Sequence, residues 1–335
     1  MSSVLLISLT AAVVPTLIYL YLIWWSDRYE REPAWLLLTM FLWGAVPAVL
    51  LAVLAALVIQ QPLAILVPGA GGDFVQTVVV APTVEELVKG LAVIAVVVFF
   101  AREVDSLLDG VIYGALVGIG FALTENFLYF LQSAMQDSRL QFLMVTAMRS
   151  VVFGLNHAWY SALVGAAAAL AVLRFEGMQR WFVLAVGLMV AILAHALHNL
   201  SALEATRFSP FVALSVLLNW GGLALILVII TLSWRREREC IVRYLADEVP
   251  GVLSAEGYLL AQTTAPRWAA WLGQLHGRSL RTARLEADLR HTATELAFSK
   301  RRLALTATGS GLEREVAQLR QRLYKLDQNW SKATS

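Results

Sequence analysis

Long apolar runs separated by short polar segments fill the first two thirds of the chain. A membrane-spanning helix needs about 20 apolar residues, and seven runs come near or exceed this length: 4–25, 34–59, 74–100, 107–131, 148–173, 180–201 and 209–233. Between the second and third runs, residues 61–73 are rich in proline and glycine and predict a loop or a shallow re-entrant segment. The pattern therefore predicts an all-α polytopic membrane protein with about seven transmembrane helices.

Composition agrees with a membrane protein and narrows its chemistry. Hydrophobic residues make up 59% of the 335 residues. The single cysteine, Cys240, excludes an internal disulfide framework and a cysteine metal cluster. The first apolar run has no Lys or Arg before it and no small-residue cleavage pattern, so we expect it to be a retained first span.

Basic residues in the loops predict the orientation. The loops after the first, third, fifth and seventh runs contain eight arginines: Arg28, Arg31, Arg102, Arg174, Arg180, Arg235, Arg236 and Arg238. The other loops contain only Arg139 and Arg207, with Arg149 near the entrance of a span. Because Lys and Arg concentrate in cytoplasmic loops, we expect the N-terminus outside and the C-terminus in the cytoplasm.

The polypeptide changes character after Trp234. We divide it into a membrane-embedded helical domain, 1–234, and a basic cytoplasmic tail, 235–335, with 17 Lys/Arg against 11 Asp/Glu. Leucines recur every seven residues at Leu289, Leu296 and Leu303, and an alternating four-three spacing follows in Leu312, Val316, Leu319, Leu323 and Leu326. This pattern predicts a helical hairpin or a short coiled coil with a helical partner. Basic residues beside a membrane favour anionic lipid, and we expect no nucleic acid partner.

The third apolar run contains the most unusual polar cluster, Pro82-Thr-Val-Glu85-Glu86-Leu-Val-Lys89. Thr83 and Glu86 have the spacing of a capping box, which predicts a helix start. Glu85 and Lys89 are four residues apart, which predicts an ion pair on one helix face. Ionisable groups inside a membrane are costly and mark functional sites.

Other runs place further polar residues at overlapping depth. Glu125 and Asn126 lie late in the fourth run, His157 lies about ten residues into the fifth, and His195 and Asn199 lie four apart in the sixth. At about 1.5 Å per residue, all these groups and Glu85 fall in the middle or outer half of the membrane. Carboxylates and imidazoles at one level are the groups that activate water in hydrolases.

Four short motifs resemble those of the PrsW family of bacterial intramembrane proteases, which is related to the CAAX prenyl endopeptidases and the Abi proteins. In order, the motifs are Glu85-Glu86-x-x-Lys89, Asp109-Gly-x-x-Tyr113-Gly with Glu125-Asn126, Phe153-x-x-x-His157 and His195-x-x-x-Asn199. The resemblance covers about 81–201. It implies a hydrolase of the bacterial cytoplasmic membrane that cuts a membrane-anchored protein, with a single-pass anti-sigma factor as one such substrate in a signalling cascade.

The same resemblance implies roles for the site residues. Glu85 or Glu86 is expected to activate water, His157 to assist or bind a metal, and His195 and Asn199 to bind a metal or stabilise the oxyanion. Zinc or another divalent cation held by Glu86, His157 and His195 is one reading, and water activated by glutamate without a metal is the other. Supporting roles are expected for Lys89, Glu125, Asn126 and Arg149.

Three other classes of function are compatible with the residues. Glu85, Lys89 and Glu125 would also suit an ion- or proton-coupled transporter, although the sequence shows no internal repeat. His157 paired with His195 or His198 would suit a bis-histidine haem protein. A non-catalytic scaffold would instead act through the cytoplasmic tail.

Overall fold

A computed structural model gives the structure of residues 2–29, 32–136, 138–204, 209–263, 279–305 and 310–334. Nearly all of these residues are helical, and no strand occurs among them, so the predicted all-α fold is confirmed. Arg31 and Arg207, which entered the orientation prediction, lie outside the described residues.

The helices follow the apolar runs closely. In chain order they are α1 (Ser2–Ser26), α2 (Ala34–Trp43), α3 (Val49–Leu66), α4 (Ala70–Val75), α5 (Ala81–Phe99), α6 (Leu107–Ala134), α7 (Arg139–Ala147), α8 (Asn156–Arg174), α9 (Gly177–Glu204), α10 (Ser209–Leu245), α11 (Ala255–Ala261), α12 (Leu280–Leu305) and α13 (Ser310–Thr334). Three π-helical turns, Gly44–Ala48, Gln76–Val80 and Met148–Val152, join α2 to α3, α4 to α5 and α7 to the turn before α8.

Six helical segments of the described residues are long and apolar enough to cross a membrane. The chain is therefore a multi-pass membrane protein. The third predicted span is not among the six, because Glu85, Glu86 and Lys89 make the segment that ends in α5 too highly charged. Six of the seven predicted spans thus correspond to these segments, and the remaining one, 74–100, contains the charged residues.

Of the two alternatives predicted for 61–73, a loop or a shallow re-entrant segment, the loop is wrong for most of its length. α3 continues through Pro62 to Leu66, and α4 begins at Ala70. The break is confined to a short turn in which Gly69 has a φ of 70°, a left-handed conformation that glycine adopts without strain. A proline near the end of a membrane helix is tolerated where neighbouring groups take up the freed carbonyl.

The chain forms two compact units. The first comprises Met1–Ser26 and Glu32–Ile230, and the second comprises Asp27–Arg31 and Thr231–Ser335. α6 is the centre of the first unit, because every residue from Leu108 to Ala122 is buried. A helix buried on all sides needs small residues where its neighbours come close.

Glycines on α6 provide that close approach toward α8. A Cβ added at Gly110, Gly114 or Gly118 would overlap a backbone carbonyl oxygen of α8, in order those of Gly165, Ser161 and His157. The predicted glycine stripe therefore has a structural role. It brings the backbone that carries His157 directly against the backbone that carries Glu125.

Asp109 caps the beginning of α6. Its Oδ2 accepts the backbone N–H groups of Asp105 and Ser106, each at 2.7 Å, and its Oδ1 accepts the Ser106 hydroxyl at 2.6 Å. Carboxylates that accept N–H groups at a helix start stabilise the helix. Asp109 is thus explained by the fold and takes no part in the site described below.

The second unit has its own hydrophobic core. α12 and α13 pack against each other, and the core includes seam leucines from both helices, Leu289, Leu296 and Leu323, together with Leu253 and Val316. Its rim includes the Glu248 carboxylate, of which 3% is exposed and which accepts hydrogen bonds from Lys300 at 2.6 Å and Arg320 at 2.7 Å. The hydrogen bond that Arg320 donates to Glu248 raises the pKa of Arg320 above its ordinary value.

Candidate active site

The polar segment of α5 follows directly from a π-helical turn. Gln76–Val80 form this turn, and the helix continues from it with Pro82 at the start of α5. Because Pro82 has no backbone N–H, no backbone hydrogen bond is lost at that position when the turn before it is irregular. Thr83 lies inside the continuous helix and donates its hydroxyl to the Val79 carbonyl oxygen at 2.6 Å. The predicted capping box at Thr83 is therefore wrong.

Glu86 and Lys89 form a fully buried ion pair, with exposed fractions of 0% and 1%. The predicted pairing of Lys89 with Glu85 is thus wrong, because the ammonium contacts the carboxylate three residues before it. The Lys89 Nζ also lies 3.2 Å from His157 Nδ1 and 4.7 Å from the Phe121 ring centroid. Burying an isolated ammonium is costly, and these contacts offset much of that cost.

His157 lies in the first turn of α8 and faces Glu125 of α6. Its Nε2 is 2.8 Å from Glu125 Oε2. Because an ionised carboxylate only accepts hydrogen bonds, we assign the ring N–H to Nε2 and the lone pair to Nδ1. That lone pair points toward Lys89 Nζ, so a metal at His157 Nδ1 would have to replace this contact.

His195 is oriented by Glu86. Its Nδ1 lies 2.9 Å from Glu86 Oε1, which assigns the N–H to Nδ1 and leaves the lone pair on Nε2. Nε2 in turn lies 4.0 Å from Glu85 Oε2. His195 thus uses one nitrogen to contact a carboxylate and keeps the other for chemistry, the arrangement typical of histidines that bind metals. His157 also contacts a carboxylate through one nitrogen, but its other nitrogen, Nδ1, becomes available only if the contact with Lys89 is released.

Tyr160 supports His195 and was missed by the sequence analysis. The two rings stack with centroids 4.9 Å apart and planes at 15°. Tyr160 follows His157 by three residues on α8, so the same helix face carries both. A tyrosine on a hydrophobic helix does not by itself indicate a functional site. Its spacing of three residues from His157 is the one feature of the sequence that could have identified it.

Glu85, His157 and His195 form the group that fits a metal. Each offers one ligand atom, and these atoms lie within 4.8 Å of one another. Glu85 Oε2 is buried and has no hydrogen-bond partner among the described residues. One carboxylate and two imidazoles are a donor set of catalytic zinc sites. The sequence predicts Glu86 for this set. Glu86 Oε1 contacts Lys89 Nζ and His195 Nδ1, and Glu85 is the carboxylate grouped with the two imidazoles.

The predicted supporting residues lie together beside His157. Arg149 donates to Glu125 Oε2 at 2.5 Å and to Asn126 Oδ1 at 2.8 Å, and its guanidinium lies 3.8 Å from the Tyr129 ring centroid. These contacts hold the Glu125 carboxylate between an arginine and a histidine. The π-helical turn Met148–Val152 places Arg149 in this position.

Asn199 and His198 have different environments on α9. Asn199 Nδ2 donates to the Thr77 carbonyl oxygen at 3.0 Å, at the π-helical turn before α5. His198 Nε2 lies 2.9 Å from Asn156 Nδ2, and its Nδ1 lies 2.8 Å from Ser215 Oγ. Since an amide nitrogen only donates, Nε2 accepts and Nδ1 donates. Both ring nitrogens of His198 are thus engaged in packing α9 against its neighbours.

A cavity of about 420 Å³ gives access to the site. Its walls include the residues with the candidate chemistry, Glu85, His157, His195, Asn199, Tyr160 and Arg149. The structure therefore brings together side chains from α5, α6, α8 and α9 around one polar space in the membrane-spanning unit. A carboxylate, two imidazoles and an amide around such a space suit the addition of water to a carbonyl group.

Comparison with known proteins gives the same class of chemistry. The pattern of one family, described as PrsW family intramembrane metalloprotease, matches residues 32–235. A Protease PrsW of Geobacillus kaustophilus is 28% identical over 63% of this chain and 87% of its own length. A Protease PrsW of Clostridioides difficile is 28% identical over 70% of this chain and 90% of its own length. The comparison with solved structures finds no match.

Proposed function

Because the chain belongs to the PrsW family of intramembrane metalloproteases, we propose that it hydrolyses a peptide bond of a membrane-anchored protein at Glu85, His157 and His195. One observation supports this assignment above the others. Three helices, α5, α8 and α9, bring a carboxylate and two imidazoles within 4.8 Å of one another. The polar cavity beside them provides a place for water and for the scissile peptide.

We assign the proton transfer to Glu85. The oxygen of a water molecule adds to the carbonyl carbon of the scissile bond, and the Glu85 carboxylate accepts the proton that the water loses. The C–N bond then breaks, and Glu85 returns the proton to the leaving amine nitrogen. Glu85 suits this role because its Oε2 has no hydrogen-bond partner among the described residues and lies beside the cavity.

The histidines and their carboxylates prepare the site for this step. Glu85, His157 and His195 would hold a divalent cation such as zinc, which when bound polarises a carbonyl and lowers the pKa of water. Glu86 and Glu125 are positioning residues, since each fixes the tautomer of one histidine. A carboxylate has two oxygens, so Glu85 is able to contact a cation with one and accept a proton with the other.

Asn199 is the proposed donor to the oxyanion. One hydrogen of its amide is donated to the Thr77 carbonyl oxygen, and the amide group has a second. Asn199 lines the same cavity as Glu85. An amide donor held in place before the reaction stabilises negative charge on the carbonyl oxygen.

The substrate and location belong to the same proposal. We place the cut in the outer half of the bacterial cytoplasmic membrane, in a single-pass protein of which an anti-sigma factor would be one case. The depth of Glu85 and His157 along their spans supports this position, and the arginine distribution supports an outer N-terminus and a cytoplasmic C-terminus. A helical partner of the tail remains part of the proposal.

Metal analysis and cleavage on detergent-purified protein test the assignment together. We expect about one metal ion per chain, retained in His291→Ala and lost in the His157→Ala/His195→Ala double variant. We expect Glu85→Gln to abolish peptide cleavage and Glu176→Gln, which changes an exposed carboxylate, to preserve it.

Each other outcome contradicts a specific part of the proposal. Cleavage that persists in Glu85→Gln refutes the role of Glu85. Wild-type protein that cleaves without metal and in the presence of chelator points to water activated by glutamate alone. Absence of both metal and cleavage favours the transporter or scaffold alternatives.

A further inference from the structure

A second cavity of about 330 Å³ adjoins Glu85 between α3, α5 and α6. It shares Glu85, Glu125 and Tyr129 with the polar cavity. The two spaces therefore meet at the carboxylate that we assign to proton transfer. His157, His195 and His198 line only the first cavity, so the second cavity has no imidazole in its wall among the described residues.

One wall of this second cavity is an apolar stripe on α3. It consists of Val49, Ala52, Val53 and Ala56, which are spaced by three, one and three residues and lie on one helix face. Two of the four are alanines, so the wall is shallow and leaves room for side chains of a ligand.

The opposite wall, on α6, contains a stripe of polar residues alongside Phe121 and Leu128, which also line the cavity. Glu125, Tyr129 and Gln132 line the cavity, and their spacings of four and three place them on one face of the helix. A polar stripe opposite an apolar stripe suits a ligand with apolar side chains on one side and hydrogen-bonding groups on the other. A lipid chain has apolar groups but none of the second kind.

One side of the cavity's rim is apolar. Val53 and Leu128 line it and are each 47% exposed, and both lie on helices that are long and apolar enough to cross the membrane. Exposed aliphatic side chains at that depth face lipid. A ligand that enters here comes from the bilayer.

We propose that this cavity receives an unwound stretch of the substrate's transmembrane segment and presents its peptide bond to Glu85. This inference rests on the proposed function. A peptide bond inside a helix is hydrogen-bonded and shielded, so hydrolysis requires local unwinding. Each backbone group that loses its hydrogen-bond partner in lipid is costly to leave unpaired. The α6 stripe supplies replacement partners for the peptide backbone, while the α3 stripe packs against the side chains.

Cross-linking in liposomes tests the position of the substrate. The probes are fluorescent single-pass polypeptides with a Leu/Ala transmembrane segment of about 20 residues, interrupted in its outer half by Ala-Gly, Ala-Ser or Asn-Pro. A probe cleaved by wild-type protein is then incubated with the Glu85→Gln variant carrying photoreactive benzoylphenylalanine at Val53. The matched control carries it at Leu54, which is 58% exposed and not in the cavity wall.

The expected result is a cross-link from position 53 and little from position 54. Equal cross-linking from both positions, or cross-linking from 54 alone, overturns the inference while cleavage by wild type leaves the proposed function intact. If wild-type protein cleaves none of the probes, the proposed function fails, and this inference fails with it.

Filling the cavity provides a second test on the same probe. Ala56→Phe is expected to lower cleavage at least about tenfold, and Ala55→Phe, on the neighbouring position outside the wall, is expected to leave it unchanged. Gln132→Leu is expected to lower cleavage by about tenfold, the rate change that corresponds to losing one hydrogen bond to the substrate. Melting temperature and metal content should stay at wild-type values in all three. Full cleavage by both Ala56→Phe and Gln132→Leu overturns the inference.

Discussion

Replacing Gly118 with alanine tests how the α6–α8 contact supports the site. A Cβ at Gly118 would overlap the carbonyl oxygen of His157 and crowd the Ala158 nitrogen. These are backbone atoms at the start of α8, so no side-chain rotation relieves the overlap. The two helices must move apart at the level of His157.

The size of the effect follows from this geometry. Carbon and oxygen atoms in contact need well over 3 Å, so α8 must shift by roughly 1 Å, and overpacking of this kind costs about 1–3 kcal/mol. The hydrogen bond between His157 and Glu125, now 2.8 Å, would lengthen to about 3.8 Å, beyond hydrogen-bond range. Misplacing a catalytic group by about 1 Å lowers the rate about 100-fold.

Gly221→Ala is the matched control. A Cβ at Gly221 of α10 meets no heavy atom of the described residues within 4 Å. Alanine in an open helical position is favoured over glycine by about 1 kcal/mol, so this variant should be slightly more stable than wild type. The same substitution, glycine to alanine, is thus expected to lower the stability at position 118 and to raise it at position 221.

Melting temperature in detergent and cleavage of a single-pass probe measure both effects. Gly118→Ala should melt several degrees below wild type and lose about two orders of magnitude in kcat. Gly221→Ala should retain full cleavage. If the two variants melt and cleave alike, the close approach of α6 and α8 at His157 is refuted.

Three further predictions address the ion pair, the third histidine and the tail. Glu86→Gln should lower the free energy of unfolding by about 3–5 kcal/mol because it leaves a buried ammonium unpaired, and adding Lys89→Met should restore most of it; additive losses in a double-mutant cycle of melting curves would contradict the pairing. His198→Ala should keep its metal, measured by elemental analysis, since both of its ring nitrogens are engaged in packing; metal loss would place it among the ligands. Glu248→Gln should make the second unit more sensitive to trypsin, because Arg320 and Lys300 lose the buried negative charge and one of the two oxygens that accept from them, and unchanged digestion would show that this contact contributes little.

Local errors in the sequence analysis have a common physical origin. The capping box and the Glu85–Lys89 pair were inferred from spacing along an ideal helix. The π-helical turn Gln76–Val80 instead connects α4 to α5 without a helix start. Lys89 then pairs with Glu86 because the neighbouring helices place His157 and Phe121 around that same buried position.

The residue types in the motif do not decide which of two glutamates belongs with His157 and His195 in the candidate metal site. Glu85 and Glu86 are chemically identical and adjacent, so the motif predicts a reactive carboxylate without selecting one. Adjacent residues on a helix point about 100° apart. Only the packing of α5 against α9 and α8 directs Glu86 to Lys89 and His195 and places Glu85 in the wall of the cavity.

The all-helical membrane fold follows from the sequence alone, and so do the residues that we propose for the chemistry. Apolar runs of bilayer length have few alternatives to helices, because backbone groups in lipid must bond within the segment. Ionisable residues in such runs are conspicuous for the same reason. The packing of the helices shows which carboxylate faces each histidine, which nitrogen of His195 stays available, and where a second cavity reaches Glu85. Those features depend on contacts between helices far apart in the chain, and helical periodicity within one segment carries no information about them.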